Sequence, residues 1–370
     1  MLPFELRGPG FILAVPTIDD VDRITELCQD PEILRWITAI DPPYTRTHAV
    51  EFVTQIAPEL WASGRELIWA IRDPVDRRMA GVIGLRPGNG KAEVGFWLGR
   101  EARGAGLMSR AVRLVAEYAF DPAGLGVTHL GWKAMVGNWA SRRVAWATGF
   151  TFEGTSRGDL VKSGERHDVW TATLCAGEPM APNSVWFDVP VLEGQRIMLR
   201  PFEDSDVDAV AEACGDPLSQ HWLNGLPRPY TREHAANFLH RRREHAASGT
   251  AVHWAAAVPA GGPALGSFSL MNFGARDGGA EVGYWVHPAA RGKSVASEAV
   301  SLLVGHAFAP ITHGGLGLRR LVVAHADGNH ASRKVIERTG FAPMGRERRG
   351  DTIGDGSIVD LLWYDRLPAR

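Results

Sequence analysis

The sequence predicts a mixed α/β protein built from two tandem copies of one domain. Three observations carry that reading. The chain has 370 residues, about two ordinary domains' worth. The stretch EVGFWLGREARGAGLMSRAV, from Glu93, returns as EVGYWVHPAARGKSVASEAV, from Glu281. Each half also alternates short apolar runs with helical periodicity, the pattern of strands and helices in one layered fold.

The repeat extends well beyond that stretch. PPYTRTHAVEF (from Pro42) returns as RPYTREHAANF, and CQDPEILRWI returns as CGDPLSQHWL. GNWASRRVAWATGF (from Gly137) returns as GNHASRKVIERTGF. The offset drifts from 186 to 188 to 191 residues, which small loop insertions explain. Between Glu93 and Phe120, 13 of 28 residues are identical in the second copy. So long a period excludes a solenoid and indicates a duplicated domain. The expected domains are 1–176 and 190–370. Between them, 177–189 reads as a linker because Pro179, Pro182 and Pro190 punctuate a polar, turn-rich stretch.

Each half predicts the same order of elements. A first strand (FILAV; RIMLRPF) precedes a helix around 22–27 or 207–214. The YTRxHA motif starts the next helix, with its Thr as N-cap. Three strands follow: LIWAIR, MAGVIGL and AEVGFWL, or VHWAAAV, LGSFSLM and AEVGYWV. A Gly-containing loop then leads into a helix whose apolar residues Ala111, Leu114, Val115 and Tyr118 share one face. The strand HLGWKAMV, or RRLVVAHA, leads to a short helix ending at Gly-Phe, and a last pair of strands closes the half.

Composition narrows the function. The chain is 45% hydrophobic and 22% charged, with net charge −2. No basic field points to nucleic acid, and no apolar run suits a membrane span or a secretion leader. Cys28, Cys175 and Cys214 are scattered and form no CxxC pair, so the expectation is a reducing, cytoplasmic setting and no metal. The basic residues are nearly all Arg, the usage of a GC-rich, bacterial genome.

ARGAGLMS and ARGKSVAS lie between a strand and a helix. Such a loop aims backbone N–H groups at an anion, with the helix dipole behind them. An ordinary strand-to-helix turn is the plainer reading of either copy alone. Neither is a Walker loop or a dinucleotide fingerprint, since GxxxxGK[ST] and GxGxxG are absent from them.

With EVG-x-W, the Arg-Gly loop and N-x-x-S…GF in fixed order, both halves resemble the GNAT acyltransferase superfamily. Within it they resemble the RimJ/RimL-type protein N-terminal acetyltransferases. The superfamily signature, Arg/Gln-x-x-Gly-x-Gly/Ala, wraps the pyrophosphate of acetyl-CoA. It falls on Arg103, Gly104, Ala105, Gly106, Leu107 and Met108, and on Arg291, Gly292, Lys293, Ser294, Val295 and Ala296. Met108 departs from the last position, and Ser294 stands where the central Gly belongs. The resemblance implies two domains, each a mixed, splayed central sheet flanked by helices, with a bulged central strand at EVGFW or EVGYW that offers backbone N–H to the thioester carbonyl. It also implies an acetyl-CoA-dependent N-acyltransferase, without metal, whose amine attacks the thioester directly in a ternary complex. The acceptor, a protein N-terminus or a small amine, is not written in the sequence. A CoA-binding sensor or scaffold with one or both domains inactive is the alternative. A tandem chain can serve as its own dimer, so a monomer is expected.

The resemblance also assigns roles. Glu93 and Glu281 are candidate bases, against surface carboxylates or partners of an Arg; Asp168 and Asp360 are the alternatives, or a structural pairing. Asn138 and Asn329 would meet the pantetheine, and Ser141 and Ser332 the CoA sulfur; the plainer reading has Asn cap a helix and Ser pack in its first turn. The Tyr many relatives use one turn later is Ala145 or Ile336 here. Trp36 and Trp222 could line the acceptor groove. Trp69/Trp254 and Trp97/Trp285 read as core, and Tyr44/Tyr230 with His48/His234 as a helix start. Gly106 leads to the expectation that the first domain binds acetyl-CoA. The second is expected to bind if Ser294 takes a negative φ, and to be strained if φ must be positive.

Overall fold

The computed structural model describes residues 2–40, 42–274 and 278–369. The chain divides into two compact units, Met1–Asn183 and Ser184–Arg370. Each is one eight-stranded mixed sheet flanked by helices.

In the first unit the strands are β1 (Leu6–Gly8), β2 (Phe11–Ala14), β3 (Leu67–Arg72), β4 (Met79–Gly88), β5 (Lys91–Leu98), β6 (His129–Met135), β7 (Thr151–Lys162) and β8 (Glu165–Cys175). They lie in the order β1-β2-β3-β4-β5-β6-β8-β7. The helices are α1 (Val21–Leu27), α2 (Pro31–Trp36), α3 (Arg46–Glu51), α4 (Ala57–Ser63), α5 (Leu107–Phe120) and α6 (Trp139–Ala147). A π turn over Phe52–Ile56 joins α3 to α4.

The second unit repeats this plan. Its strands are β9 (Leu192–Glu193), β10 (Met198–Arg200), β11 (Ala251–Ala257), β12 (Gly266–Met271), β13 (Gly279–Val286), β14 (Arg320–Ala326), β15 (Ala342–Thr352) and β16 (Ile358–Arg366). Their order is β15-β16-β14-β13-β12-β11-β10-β9. Its helices are α7 (Val207–Gly215), α8 (Pro217–Trp222), α9 (Arg232–Ala247), α10 (Val295–Phe308) and α11 (His330–Arg338).

LIWAIR shows why the central strands read as unbroken apolar runs. All six residues of β3 are buried, because helices cover both faces of the sheet. Leu67, Trp69 and Ile71 join the core that contains Ala111, Val112 and Val115 of α5. Ile68 and Ala70 join a second core with Ile24 of α1 and Ala49 of α3. In β11, Trp254 and Ala255 divide between two cores in the same way. Trp69 and Trp254 are fully buried, as expected, and their indole N–H groups donate to Phe4 O and Pro190 O. Trp97 and Trp285 pack against the second core of each unit.

The proline-rich stretch 177–189 is bonded into both units. Arg113 Nε donates to Met180 O at 2.9 Å in the first unit. Phe187 N donates to Ala246 O at 2.8 Å in the second. The YTRxHA motif is a helix start: Thr45 and Thr231 cap α3 and α9, and the ring Nδ1 of His48 or His234 accepts the Thr backbone N–H at 3.1 Å.

Both units bury one arginine–aspartate pair, with the arginine drawn from different strands. Asp20 binds Arg72 of β3 through two hydrogen bonds of 2.6 and 2.5 Å. Asp206, its counterpart, binds Arg200 of β10 at 2.8 and 2.9 Å. The ladder registers make Arg200 the equivalent of Ala14, and Arg72 the equivalent of Ala257. In both cases the Asp also accepts the backbone N–H of the residue three before it, Thr17 or Glu203, closing a turn into α1 or α7. Removing either carboxylate would strand a buried guanidinium, so Asp20→Ala and Asp206→Ala should each cost about 3–5 kcal/mol, read by urea denaturation of the full chain. A loss under about 1 kcal/mol would show that water reaches these pairs.

Candidate active site

The site begins where two parallel strands part. Among the described residues β5 and β6 form the one parallel pair of the first sheet, and their ladder runs only from Lys91/His129 to Val94/Trp132. Both strands continue, β5 to Leu98 along β4 and β6 to Met135 along β8. In the second unit the ladder of β13 and β14 stops at Glu281/Val322. Each sheet therefore opens at its centre. The bulge that the resemblance implied is absent: β4–β5 and β12–β13 hold continuous register, so the opening comes from the lost parallel ladder alone.

The Arg-Gly loops sit at the end of that opening. Gly104 and Gly106 take φ of 83° and 67°, and Gly292 and Ser294 take 72° and 62°. Gly106 and Ser294 are the N-caps of α5 and α10, with ψ of 11° in both. Ser294 thus holds the left-handed conformation of its glycine counterpart. The condition of negative φ is not met, and the strained alternative holds, at a cost of about 1 kcal/mol. The first intrahelical bonds are Arg110 N to Gly106 O and Glu298 N to Ser294 O. The N–H groups of 107–109 and 295–297 are left without helical acceptors and lie at the positive end of a fourteen-residue helix. Met108 and Val295 bury their side chains in the cores, so they can offer a ligand only backbone. Ala105 and Lys293 are exposed, and Leu107 and Ala296 half-buried.

Arg103 and Arg291 brace the loops. Arg103 donates to Leu98 O at 3.0 and 2.8 Å and to Asp30 Oδ2 at 2.6 Å. Arg291 donates to Asp216 Oδ2 at 2.6 Å and Ser219 Oγ at 2.9 Å. Asp30 and Asp216 are also the N-caps of α2 and α8. Burial works to raise the Asp216 carboxyl. The Arg291 guanidinium and the Ser219 and Leu218 N–H groups outweigh it and hold the pKa below its ordinary 3.8.

Past the opening, Asn138 and Asn329 cap α6 and α11, each accepting the N–H of Ser141 or Ser332 at 3.1 Å. Both serines are half-buried. Ser141 Oγ accepts from the indole of Trp132 at 3.0 Å, whereas Ser332 Oγ lies 2.9 Å from the Tyr284 phenol. The sequence reading missed both partners. Trp36 and Trp222 lie over the glycines that precede those caps, Gly137 and Gly328.

The carboxylates differ. Glu93 pairs with Arg86 at 3.0 Å across β4 and β5. Glu281 accepts from the Asn272 amide at 2.9 Å. Asp168 and Asp360 accept the backbone N–H groups of Gly158 and Arg349 at 2.8 and 2.7 Å, where the last two strands slip register. Glu298 likewise holds the Arg196 N–H and guanidinium. Burial pushes the Cys28 thiol up to about 12 and the Cys214 thiol to about 11, which leaves both inert at neutral pH. Among the described residues no group of three or more His, Cys, Asp or Glu side chains could hold a metal, and no helix is long and apolar enough to cross a membrane.

A model of the acetyltransferase (GNAT) domain matches residues 11–151 and again 196–342. The chain belongs to the GNAT acetyltransferase family. It is 36% identical over 97 residues to YdaF of Bacillus subtilis, named "Putative ribosomal N-acetyltransferase", covering 25% of this chain and 52% of that one. It is 25% identical over 164 residues to the uncharacterized N-acetyltransferase p20 of Bacillus licheniformis, covering 44% of this chain and 90% of that one. The chain thus spans about half the length of the first relative. Solved family structures include RimL, a ribosomal L7/L12 alpha-N-protein acetyltransferase in complex with coenzyme A (21% identity, 48% and 98% of the two chains, TM-score 0.42). Mycobacterium smegmatis RimJ in complex with CoA-disulfide is another (21%, 48% and 85%, TM-score 0.41).

Two substitutions test the loop. Ser294→Gly should stabilise the second unit by about 1 kcal/mol in chemical denaturation, by releasing a strained φ. Asp216→Asn, which keeps a cap, should cost about 1 kcal/mol at neutral pH. Because the folded carboxyl sits below 3.8, that deficit is full above this value and fades as pH falls through the lower, folded pKa. A deficit that persisted at the acid end would assign it to packing.

Proposed function

We propose that the protein is an acetyl-CoA-dependent N-acetyltransferase that moves an acetyl group to a primary amine, and that both units bind the cosubstrate. One observation carries this reading. In each unit a left-handed N-cap bares the first N–H groups of a long helix, beside a pair of parallel strands that stop pairing. The bared N–H groups suit a diphosphate, and the gap suits the narrow arm that follows it. The name of the B. subtilis relative supports an amine acceptor of the ribosomal kind, which in this reading is a protein N-terminus.

Each group then has a task. The loops hold the diphosphate through backbone, with Arg103 and Arg291 keeping them in shape from behind. The amine attacks the thioester carbonyl carbon directly; a C–N bond forms and the C–S bond breaks. Unpaired backbone N–H on β5 or β13, past the end of the ladder, is placed to steady the oxyanion. Glu281 carries only an amide donor among the described residues and can accept the amine's proton, directly or through water. Glu93 shares its carboxylate with Arg86, so we assign the proton-accepting role to Glu281. The setting is cytoplasmic and the chain a monomer in this reading.

Calorimetric titration of acetyl-CoA into the full chain should give two sites. Gly106→Trp should reduce this to one, since a large side chain at a left-handed N-cap would distort the loop. Incubation with amines, including N-terminal peptides of ribosomal proteins, should release CoA and acetylate the α-amine. Absence of acetyl-CoA binding by folded protein would end this reading; binding without turnover would turn it into a CoA sensor.

A further inference from the structure

One chemical difference between the two units lies across the opening of the sheet. In the second unit the Tyr284 phenol and Ser332 Oγ are 2.9 Å apart. Tyr284 stands on β13 three residues beyond Glu281, where pairing with β14 ends. Ser332 is in the first turn of α11, which follows β14. The contact therefore joins the two walls of the gap. The first unit cannot make it, because Phe96 holds the place of Tyr284. There Ser141 Oγ accepts from Trp132, whose counterpart by ladder register is Val323.

An indole N–H donates and cannot accept. It leaves Ser141 with one proton and nothing to replace it. A phenol does both. Tyr284 reaches two oxygens of Ser332, the Oγ at 2.9 Å and the carbonyl at 3.3 Å. When it donates to Oγ, the serine proton is free to point into the gap. The ring is held by stacking on Phe268, 6.0 Å away and 16° from parallel. Burial pushes the phenol up to about 12, so it carries its proton at neutral pH. An alcohol alone is too weak an acid to hand over a proton. Coupled to a phenol, it can pass one on while receiving one, and the net acid is the phenol.

We propose that Tyr284 is a positioning residue for acyl transfer in the second unit, holding Ser332 as proton donor to the departing thiolate and replacing the proton that Ser332 gives up. This rests on the acetyltransferase reading above. As the C–S bond breaks, its electron pair stays on sulfur. The thiolate takes the Ser332 hydroxyl proton, Ser332 takes the Tyr284 proton, and the phenolate recovers one from water. The amine releases one proton to water or Glu281, so the protons balance and no oxidant or reductant enters. In the first unit Ser141 supplies a hydrogen bond and no relay.

The test uses the full chain carrying Gly106→Trp, so that turnover comes from the second unit. On that background Tyr284→Phe should lower kcat roughly 100-fold while the acetyl-CoA Kd stays within about twofold. Ser332→Ala should lose as much, and the double variant should lose no more than either, because the two hydroxyls act as one unit. A merely structural tyrosine would instead weaken acetyl-CoA binding or lower Tm together with turnover, and its loss would add to that of Ser332→Ala. Unchanged kcat in Tyr284→Phe, or additive losses, would overturn the relay. Failure of the acetyltransferase reading is distinguishable: the Gly106→Trp parent would then bind acetyl-CoA, or fail to, without acetylating any amine, before Tyr284 is changed at all.

Discussion

Everything at the candidate site depends on where one parallel ladder stops. The other strand pairs are antiparallel, whether joined by a short turn, as β4 and β5 are, or across a helical segment, as β2 and β3 are. The parallel pair is different. Its two strands need a crossover, which α5 and α10 provide. The crossover sets the helix N-terminus at the end of the strand that leads into it, and the end of the ladder makes room beside it. One topological necessity thus brings together bared N–H groups, unpaired strand edge and the cap of the following helix. The same coincidence of strand ends and helix starts makes such places ligand sites in other α/β sheets.

Around that fixed centre the two units have solved one problem twice. The loop is braced by Asp30 in one and Asp216 in the other, each of which also caps a helix. A carboxylate that satisfies backbone N–H groups and a guanidinium together ties three segments with one side chain. Through it the Arg of the motif shapes the loop from behind. Ser294 shows the reverse case: the side chain changed, and the backbone kept its shape against a local preference.

Much of this was legible in the sequence, for an identifiable reason. Repeats, strand alternation, Thr caps and the Arg-Gly loop are local patterns, and local patterns survive in a string of letters. The order of elements, the buried Trp69 and Trp254 and the helix starts at Thr45 and Thr231 all follow from them. Less legible were contacts that the fold creates between distant segments. Arg103 meets Asp30 across 73 residues, and Tyr284 meets Ser332 across 48. A clue existed in the second case, since EVGFW and EVGYW differ by one hydroxyl, but only the geometry gives that hydroxyl a partner. The bulge was wrong for a related reason: register is a property of two strands, and neither sequence carries it alone.

The exchange of arginines beneath Asp20 and Asp206 has a consequence for the history of the gene. Repeated halves invite recombination, and a crossover between them swaps β2 against β10 while leaving the next strand in place. One product would combine Ala14 with Ala257, leaving the buried aspartate without any cation. The other would set Arg200 beside Arg72, two cations for a single carboxylate. Both products are penalised in the interior, where neither charge has water to turn to. With the arginines on different strands, exchange of this segment between the halves carries that penalty. Copies that cannot exchange a segment vary independently there, a condition under which two copies of one domain can differ at a residue such as Tyr284.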